Sequence, residues 1–228
     1  MKPRIKICCI ASVAEAELAI AHGASVLGLV SAMPSGPGVI TDAGIAEIAA
    51  AVRARHGAAI RTFLLTARTS ADAIAAQHAA AGTTTVQLVD HVPPAELRQL
   101  RARCPGVEMV QVIHVTGTAS IDEAIAVAPW VDAVLLDSGN PGAAIKELGG
   151  TGRTHDWATS RRIRDAIAPT PLWLAGGLRA HNVADAVSAV APYGLDLCTG
   201  VRHGGHLDAG LLGAFVGALN HDGPAPAQ

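Results

Sequence analysis

Leu174-Ala175-Gly176-Gly177-Leu178 closes one apolar run, 171–174, and Thr199-Gly200-Val201 closes the next, 195–198. Each is followed by a segment of helical periodicity, so both read as the tops of consecutive parallel strands. Glycine in such a turn lets backbone N–H groups approach an anion, and the helix N-terminus behind it adds partial positive charge. Phosphate sites of this kind sit on the last two strands of (β/α)8 barrels. Gly176, Gly177, Thr199 and Gly200 are therefore candidate phosphate ligands, with a tight strand-to-helix turn as the plain alternative.

The same beat runs through the whole chain. Strand-like runs fall at 5–10, 25–30, 59–65, 84–89, 107–115, 131–136, 171–174 and 195–199. Helical segments, many of them alanine-rich, fall between and after them at 14–22, 43–55, 71–81, 94–103, 121–127, 157–167, 182–190 and 208–219. Eight such units, with near-continuously apolar strands, predict a closed parallel barrel rather than an open doubly wound sheet. Residues 1–228 read as one (β/α)8 barrel domain, with 222–228 a flexible tail carrying two prolines and a glycine.

Composition narrows the partners. The formal net charge is −2 and the basic residues are scattered, which argues against nucleic acid or an anionic membrane and favours a small molecule. Met1-Lys2-Pro3-Arg4 runs straight into the first strand with no secretory apolar region, so a cytoplasmic protein is expected. Cys8, Cys9, Cys104 and Cys198 lack metal or redox-motif spacing and read as reduced thiols. His114, His203 and His206 could be imagined as metal ligands near the barrel mouth, but Gly204-Gly205 puts the last two on a loop, and no metal is expected. Trp130, Trp157 and Trp173 are dispersed and read as packing residues.

Barrel active sites are built at the C-terminal ends of the strands, so polar residues there carry the information. Cys8 lies within the first strand, and Asp137 follows Val134-Leu135-Leu136 at the end of the sixth. No helix starts within capping reach of Asp137, which favours a chemical role. Cys8 has the alternative of a small core side chain. The long segment 138–155 carries Gly149-Gly150-Thr151-Gly152 and could close over a ligand, with Gly150, Thr151 and Gly152 adding N–H groups to a phosphate.

Lys6-Ile7-Cys8, Gly23-Ala24 through Gly28, Val86-Gln87-Leu88, Leu135-Leu136-Asp137-Ser138, Gly149 through Trp157, Leu174 through Leu178, Asn182-Val183 and Gly200-Val201 fall in one order. In that order the chain resembles the phosphoribosylanthranilate isomerases, barrel enzymes of tryptophan biosynthesis, from about residue 5 to residue 215. The resemblance implies an Amadori rearrangement, in which a phosphorylated aminoaldose opens and becomes a 1-amino-1-deoxyketose. It implies no cofactor and a phosphorylated sugar as ligand; a monomer and a homodimer are both open. Asp137 matches the family's general acid, which protonates the ring oxygen as the Schiff base forms. Cys8 matches its general base, which takes the C2 proton. Gln87 is a further substrate-binding candidate.

The chain departs from the family on the side of the amine substituent. Family members carry a Pro-Lys-Ser-Pro-Arg-like stretch after strand 2, whose arginine holds the anthranilate carboxylate; here the run is Met33-Pro34-Ser35-Gly36-Pro37-Gly38, with Gly38 in the arginine's place. An arginine–carboxylate fork contributes on the order of 1.5–3 kcal/mol, and glycine cannot supply it. Val89-Asp90-His91 replaces a usual His-Gly, Cys9 a usual glycine, and Arg202 a usual acidic residue. Arg202 and Arg68 are the candidate replacement clamps. A paralogue acting on another sugar phosphate, or one that only binds it, is the alternative to the usual activity.

Overall fold

The computed structural model describes residues 2–140, 142–143, 146–148 and 152–220. The proposed tail 222–228 and two of the candidate phosphate ligands, Gly150 and Thr151, lie outside the described residues.

Eight parallel strands close into a barrel in sequence order: β1 (Arg4–Ile7), β2 (Val26–Val30), β3 (Arg61–Thr66), β4 (Thr85–Leu88), β5 (Glu108–His114), β6 (Ala133–Asp137), β7 (Leu172–Leu174) and β8 (Gly194–Leu197), with β8 pairing back onto β1. The helices that follow them are α1 (Val13–Ala21), α2 (Asp42–His56), α3 (Ala71–Ala81), α4 (Pro94–Arg103), α5 (Ala119–Val127), α6 (Trp157–Ala166), α7 (Val183–Val190) and α8 (Ala209–Asn220). The strands are buried on both faces, which is why β2 reads Val-Leu-Gly-Leu-Val with no polar alternation. Helix starts follow from caps: Ser12, Thr41 and Asp156 each accept from a backbone N–H in the first turn.

Three boundaries differ from expectation near the site. β1 ends at Ile7, so Cys8 and Cys9 follow the strand; Asp137 belongs to β6. Thr199, expected as the last residue of its strand, instead opens a 3-10 turn, Thr199–Val201, that leads into a small hairpin of β9 (Arg202–His203) and β10 (His206–Leu207).

The core is divided in two. A larger apolar layer, including Leu27, Leu29, Leu64, Ile74 and Phe215, lies between strands and helices. A second cluster fills the lumen and includes Val26, Phe63, Val110, Leu135 and Trp173. At the bottom of the lumen Trp173 meets Phe63 and Tyr193 edge-on, with ring centroids 5.9 and 5.5 Å apart. Aromatic packing seals that end, leaving the C-terminal mouth as the open one.

Candidate active site at the barrel mouth

Above Trp173 the lumen turns polar. Lys6 and Asp196 are opposite one another in the β1–β8 register, and Nζ of Lys6 lies 2.6 Å from Oδ2 of Asp196, both side chains buried. Burial works against the Lys6 charge, but Asp196 and the thiols of Cys8 and Cys9 outweigh it and hold the lysine above its ordinary value. Burial pushes the Asp196 carboxyl up, with Lys6 opposing. We read the pair as ionised: at 2.6 Å each charge offsets the other's burial, and Cys8, drawn toward its thiolate, adds to the pull on the cation.

Two residues beyond Lys6, just past the end of β1, Cys8 faces the mouth cleft together with Gln87 from β4 and Asp137 from β6. Val30, Met33, Leu65, Val112 and Leu148 form an apolar wall; Gly152, Gly176, Gly177, Thr199 and Gly200 line the β7–β8 side. Oδ1 of Asp137 accepts from Ser138 N at 2.7 Å. Oε1 of Gln87 is buried with no partner among the described residues, an acceptor left open in the cleft. His155 is half-buried beside Gly176 with both ring nitrogens enclosed, and desolvation lowers its pKa against the charges of Asp137 and Asp156.

Alternation along a strand would send Cys8 and Cys9 to opposite faces, with one of them outside the lumen. The structure overturns this. Cys9 has φ 62°, a left-handed conformation that favours glycine, so the chain turns at this residue and both side chains join the lumen cluster and line the cleft. A side-chain hydrogen bond from Cys9 is the main influence drawing the Cys8 thiol below the usual value, with Lys6 adding to it. Cys9, hydrogen-bonded to Cys198 and to Cys8 and buried, is pushed the other way. Of the two neighbours, Cys8 is the one that ionises.

The glycines of β7 and β8 turns meet the β6 loop directly. Gly177 has φ 62°, and a Cβ there would stand 2.8 Å from both Arg153 C and Thr154 N. Gly152 comes down beside Thr199, and Nδ2 of Asn182 donates to Gly177 O at 3.1 Å. Further along, the β6 loop reaches the β2 and β4 loops: Ser35 Oγ donates to Lys146 O, and Nζ of Lys146 lies 2.5 Å from Asp90. Asp90, in the run after β4 that departs from the family, thus has a partner, and Leu148 is brought over the cleft.

Arg202 is not a clamp on this cleft. Its guanidinium is bound to Glu15 at 2.9 Å and donates to the backbone oxygens of Cys8 and Cys9 at 3.2 and 2.6 Å. It holds the end of β1 against α1, on a neighbouring cavity behind Cys9. Arg68 is an exposed partner of Asp42 at 4.0 Å and does not line the cleft either. Among the described residues no lysine or arginine lines it. Among them, too, no group of three histidine, cysteine or acidic side chains is arranged to hold a metal.

The structure leaves no room for an arginine at Gly38 as the chain stands. Its φ is 74°, and a Cβ would overlap the Cβ of Cys9 and come within 2.9 Å of its Sγ. The cysteine at a usual glycine and the glycine at a usual arginine are complementary. Gly38→Arg alone therefore yields a less stable protein with no gain in affinity. Adding Cys9→Gly removes the Cβ and Sγ overlaps and leaves a 2.9 Å approach to the residue-9 Cα and the positive φ of residue 38, which the loop must shift to accommodate; the double variant then binds a carboxylate-bearing ligand roughly tenfold or more tightly than Cys9→Gly alone. Dissociation constants for an arylamino-ribulose 5-phosphate with and without its carboxylate check this.

These features define a (β/α)8-barrel protein with thiol and carboxyl groups gathered on one cleft at the C-terminal ends of its strands. Residues 5–218 match the family described as N-(5'-phosphoribosyl)anthranilate (PRA) isomerase, and the chain belongs to that family. It is 34% identical over 219 residues to N-(5'-phosphoribosyl)anthranilate isomerase of Synechococcus elongatus, covering 95% of each chain. Its structure superposes on phosphoribosyl anthranilate isomerase of Thermus thermophilus with a TM-score of 0.77 at 25% identity, over 95% of this chain and 98% of the other. TrpF of Jonesia denitrificans gives 0.74 at 28% identity, over 95% and 96%. Membership makes the chain an aldose–ketose isomerase of tryptophan biosynthesis, and the reaction that goes with it is an Amadori rearrangement.

Proposed function

We propose that this chain, acting as one cytoplasmic domain, isomerises N-(5'-phosphoribosyl)anthranilate or a close phosphorylated aminoaldose, with Asp137 as acid and Cys8 as base. The observation that carries this is the convergence on one cleft of Cys8, Asp137 and the glycine turns of β7 and β8. Phosphate held by N–H groups of Gly176, Gly177, Thr199 and Gly200, with Gly152 closing from the β6 loop, anchors the sugar. Gly150 and Thr151 belong to the same proposed cradle. Gln87 offers its open acceptor to a sugar hydroxyl.

Proton movements follow from this placement. Asp137 gives its proton to the ring oxygen while the nitrogen lone pair forms the C1=N bond and the C1–O bond breaks. The Cys8 thiolate then removes the proton from C2, and the resulting enaminol relaxes to the 1-amino-1-deoxyketose. Lys6 and Cys9 favour the thiolate form of Cys8.

A second reading is favoured by one specific observation, the lack of a lysine or arginine among the described residues lining the cleft. On this reading the substituent on nitrogen carries no carboxylate. One assay decides both. With N-(5'-phosphoribosyl)anthranilate as substrate, a ketone carbon should appear in the 13C NMR spectrum as the anomeric carbon signal disappears, and expression should rescue a tryptophan auxotroph lacking the isomerase. Conversion only of the carboxylate-free aniline analogue would select the second reading, and conversion of neither would reject both. As family relatives include a dimeric form, sedimentation of the same preparation separates monomer from homodimer.

A further inference from the structure

We propose that Cys9 and Cys198 are a modification site, a dithiol that small disulfides oxidise to an intramolecular disulfide across the barrel mouth. Their Sγ atoms lie 2.9 Å apart. They stand on adjacent chains: Ile7 pairs with Leu197, and Cys8 N donates to Leu197 O at 2.7 Å, so one interstrand step separates the two cysteines. That spacing is within the range a disulfide bridges, and no large backbone movement is needed.

The site is accommodated and reachable. A thiol occupies a position whose φ favours glycine, and Gly38 lacks the side chain that would collide with it. Cys198 is half-buried, and both thiols line a cavity behind the cleft with Pro37, Gly38, Arg202 and Gly205. Nε of Arg202, on the same cavity, is buried without a partner among the described residues. Cys8 is engaged with Cys9 and Lys6, and Cys104 is remote at the end of α4.

The exchange balances with a low-molecular-weight disulfide, RSSR, as oxidant. The Cys198 thiolate attacks one sulfur of RSSR, the S–S bond breaks, and RS⁻ leaves. Cys9 Sγ then attacks Cys198 Sγ in the mixed disulfide, giving up its proton as the new S–S bond forms, and displaces the second RS⁻. Two protein thiols are oxidised, RSSR is reduced, and the two protons released from the cysteines end on two RSH.

The consequence for activity rests on the reading of Cys8 as the base. Oxidised Cys9 has no S–H to donate to Cys8, and the bond ties the end of β1 to the turn that carries Thr199 and Gly200. Isomerase activity should fall and return on reduction.

The test equilibrates the whole protein with graded ratios of reduced to oxidised glutathione, traps free thiols, and maps them by mass after denaturation. Wild type should lose two hydrogens in mass, with Cys9 and Cys198 blocked to labelling and Cys8 and Cys104 labelled. Cys9→Ser and Cys198→Ser should show no such loss. Wild-type activity should drop about tenfold or more, as the thiolate fraction of Cys8 falls, and recover with dithiothreitol. Cys198→Ser should be insensitive to the treatment, whatever its basal rate. Four free thiols under oxidised glutathione, or a stable glutathione adduct in place of the bridge, would overturn the site whether or not the enzyme is active. A mapped Cys9–Cys198 bridge with unchanged activity would uphold the site and overturn the link to Cys8 as base.

Discussion

Cys8→Ala and Asp137→Asn should each lower turnover by about a hundredfold or more while leaving the affinity for ribose 5-phosphate nearly unchanged, the result expected when a positioned base or acid is lost from an intact binding site. The two groups stand at the mouth ends of β1 and β6, separated around the barrel by β7 and β8, whose turns supply the proposed phosphate ligands. Removing either side chain leaves those turns untouched. Cys9→Ala should behave differently from Cys8→Ala, because Cys9 acts through its hydrogen bond to Cys8. A base that works as thiolate gains activity as pH rises through its pKa. Since Cys8 is drawn below the usual thiol value, near 8.5, the rising limb of kcat/KM should lie below that pH in the wild type. Loss of the Cys9 donor should move it upward with a smaller loss at high pH. Steady-state profiles of the three proteins check this; equal, pH-independent losses in Cys8→Ala and Cys9→Ala would remove the base assignment.

The largest expected loss of stability comes from splitting Lys6 and Asp196. Lys6→Met strands a buried carboxylate and Asp196→Asn a buried ammonium, each at a cost of about 3–5 kcal/mol, read by urea unfolding. The two variants resemble one another in stability and diverge in chemistry. Cys8 is faced by Lys6, Asp196 and Cys9. Removing the cation disfavours its thiolate, so Lys6→Met should shift the rising limb to higher pH. Removing the carboxylate has the opposite sign, so Asp196→Asn should shift it lower. Limbs moving in the same direction would show that the pair only shapes the lumen.

The eightfold alternation of strand and helix was legible because each element carries its own signal. The limits of α3 and α4 fall at the residues that periodicity and the Pro94 start indicate. Cys8, Asp137, Gln87 and the β7 and β8 glycines could be picked out as polar or small residues at strand ends, and they do share the cleft. Cys9 was misread because alternation assumes an extended backbone, and nothing in Cys8-Cys9-Ile10 announces a φ of 62°. The place of Arg202 is not legible in the sequence, because its partner, Glu15, lies 187 residues earlier in the chain. The Lys6–Asp196 pair went unassigned for a similar reason, although a usable signal existed. Lys6 and Cys8, like Gly194, Asp196 and Cys198, are non-aliphatic at every second position of apolar segments, as expected of a partly polar lumen.

The polar contacts that fix the end of β1 come from the opposite end of the chain: Leu197 holds the Cys8 N–H, Asp196 holds Lys6, Cys198 touches Cys9, and Arg202 grips the Cys8 and Cys9 carbonyls. During synthesis these partners emerge from the ribosome only after some 190 residues have been added. Until then β1 has a single edge neighbour, β2, and Lys6 has no counter-charge from β8. Contacts of such wide sequence separation form late and slowly. Cys8 is thus among the first side chains to be made and among the last to be placed.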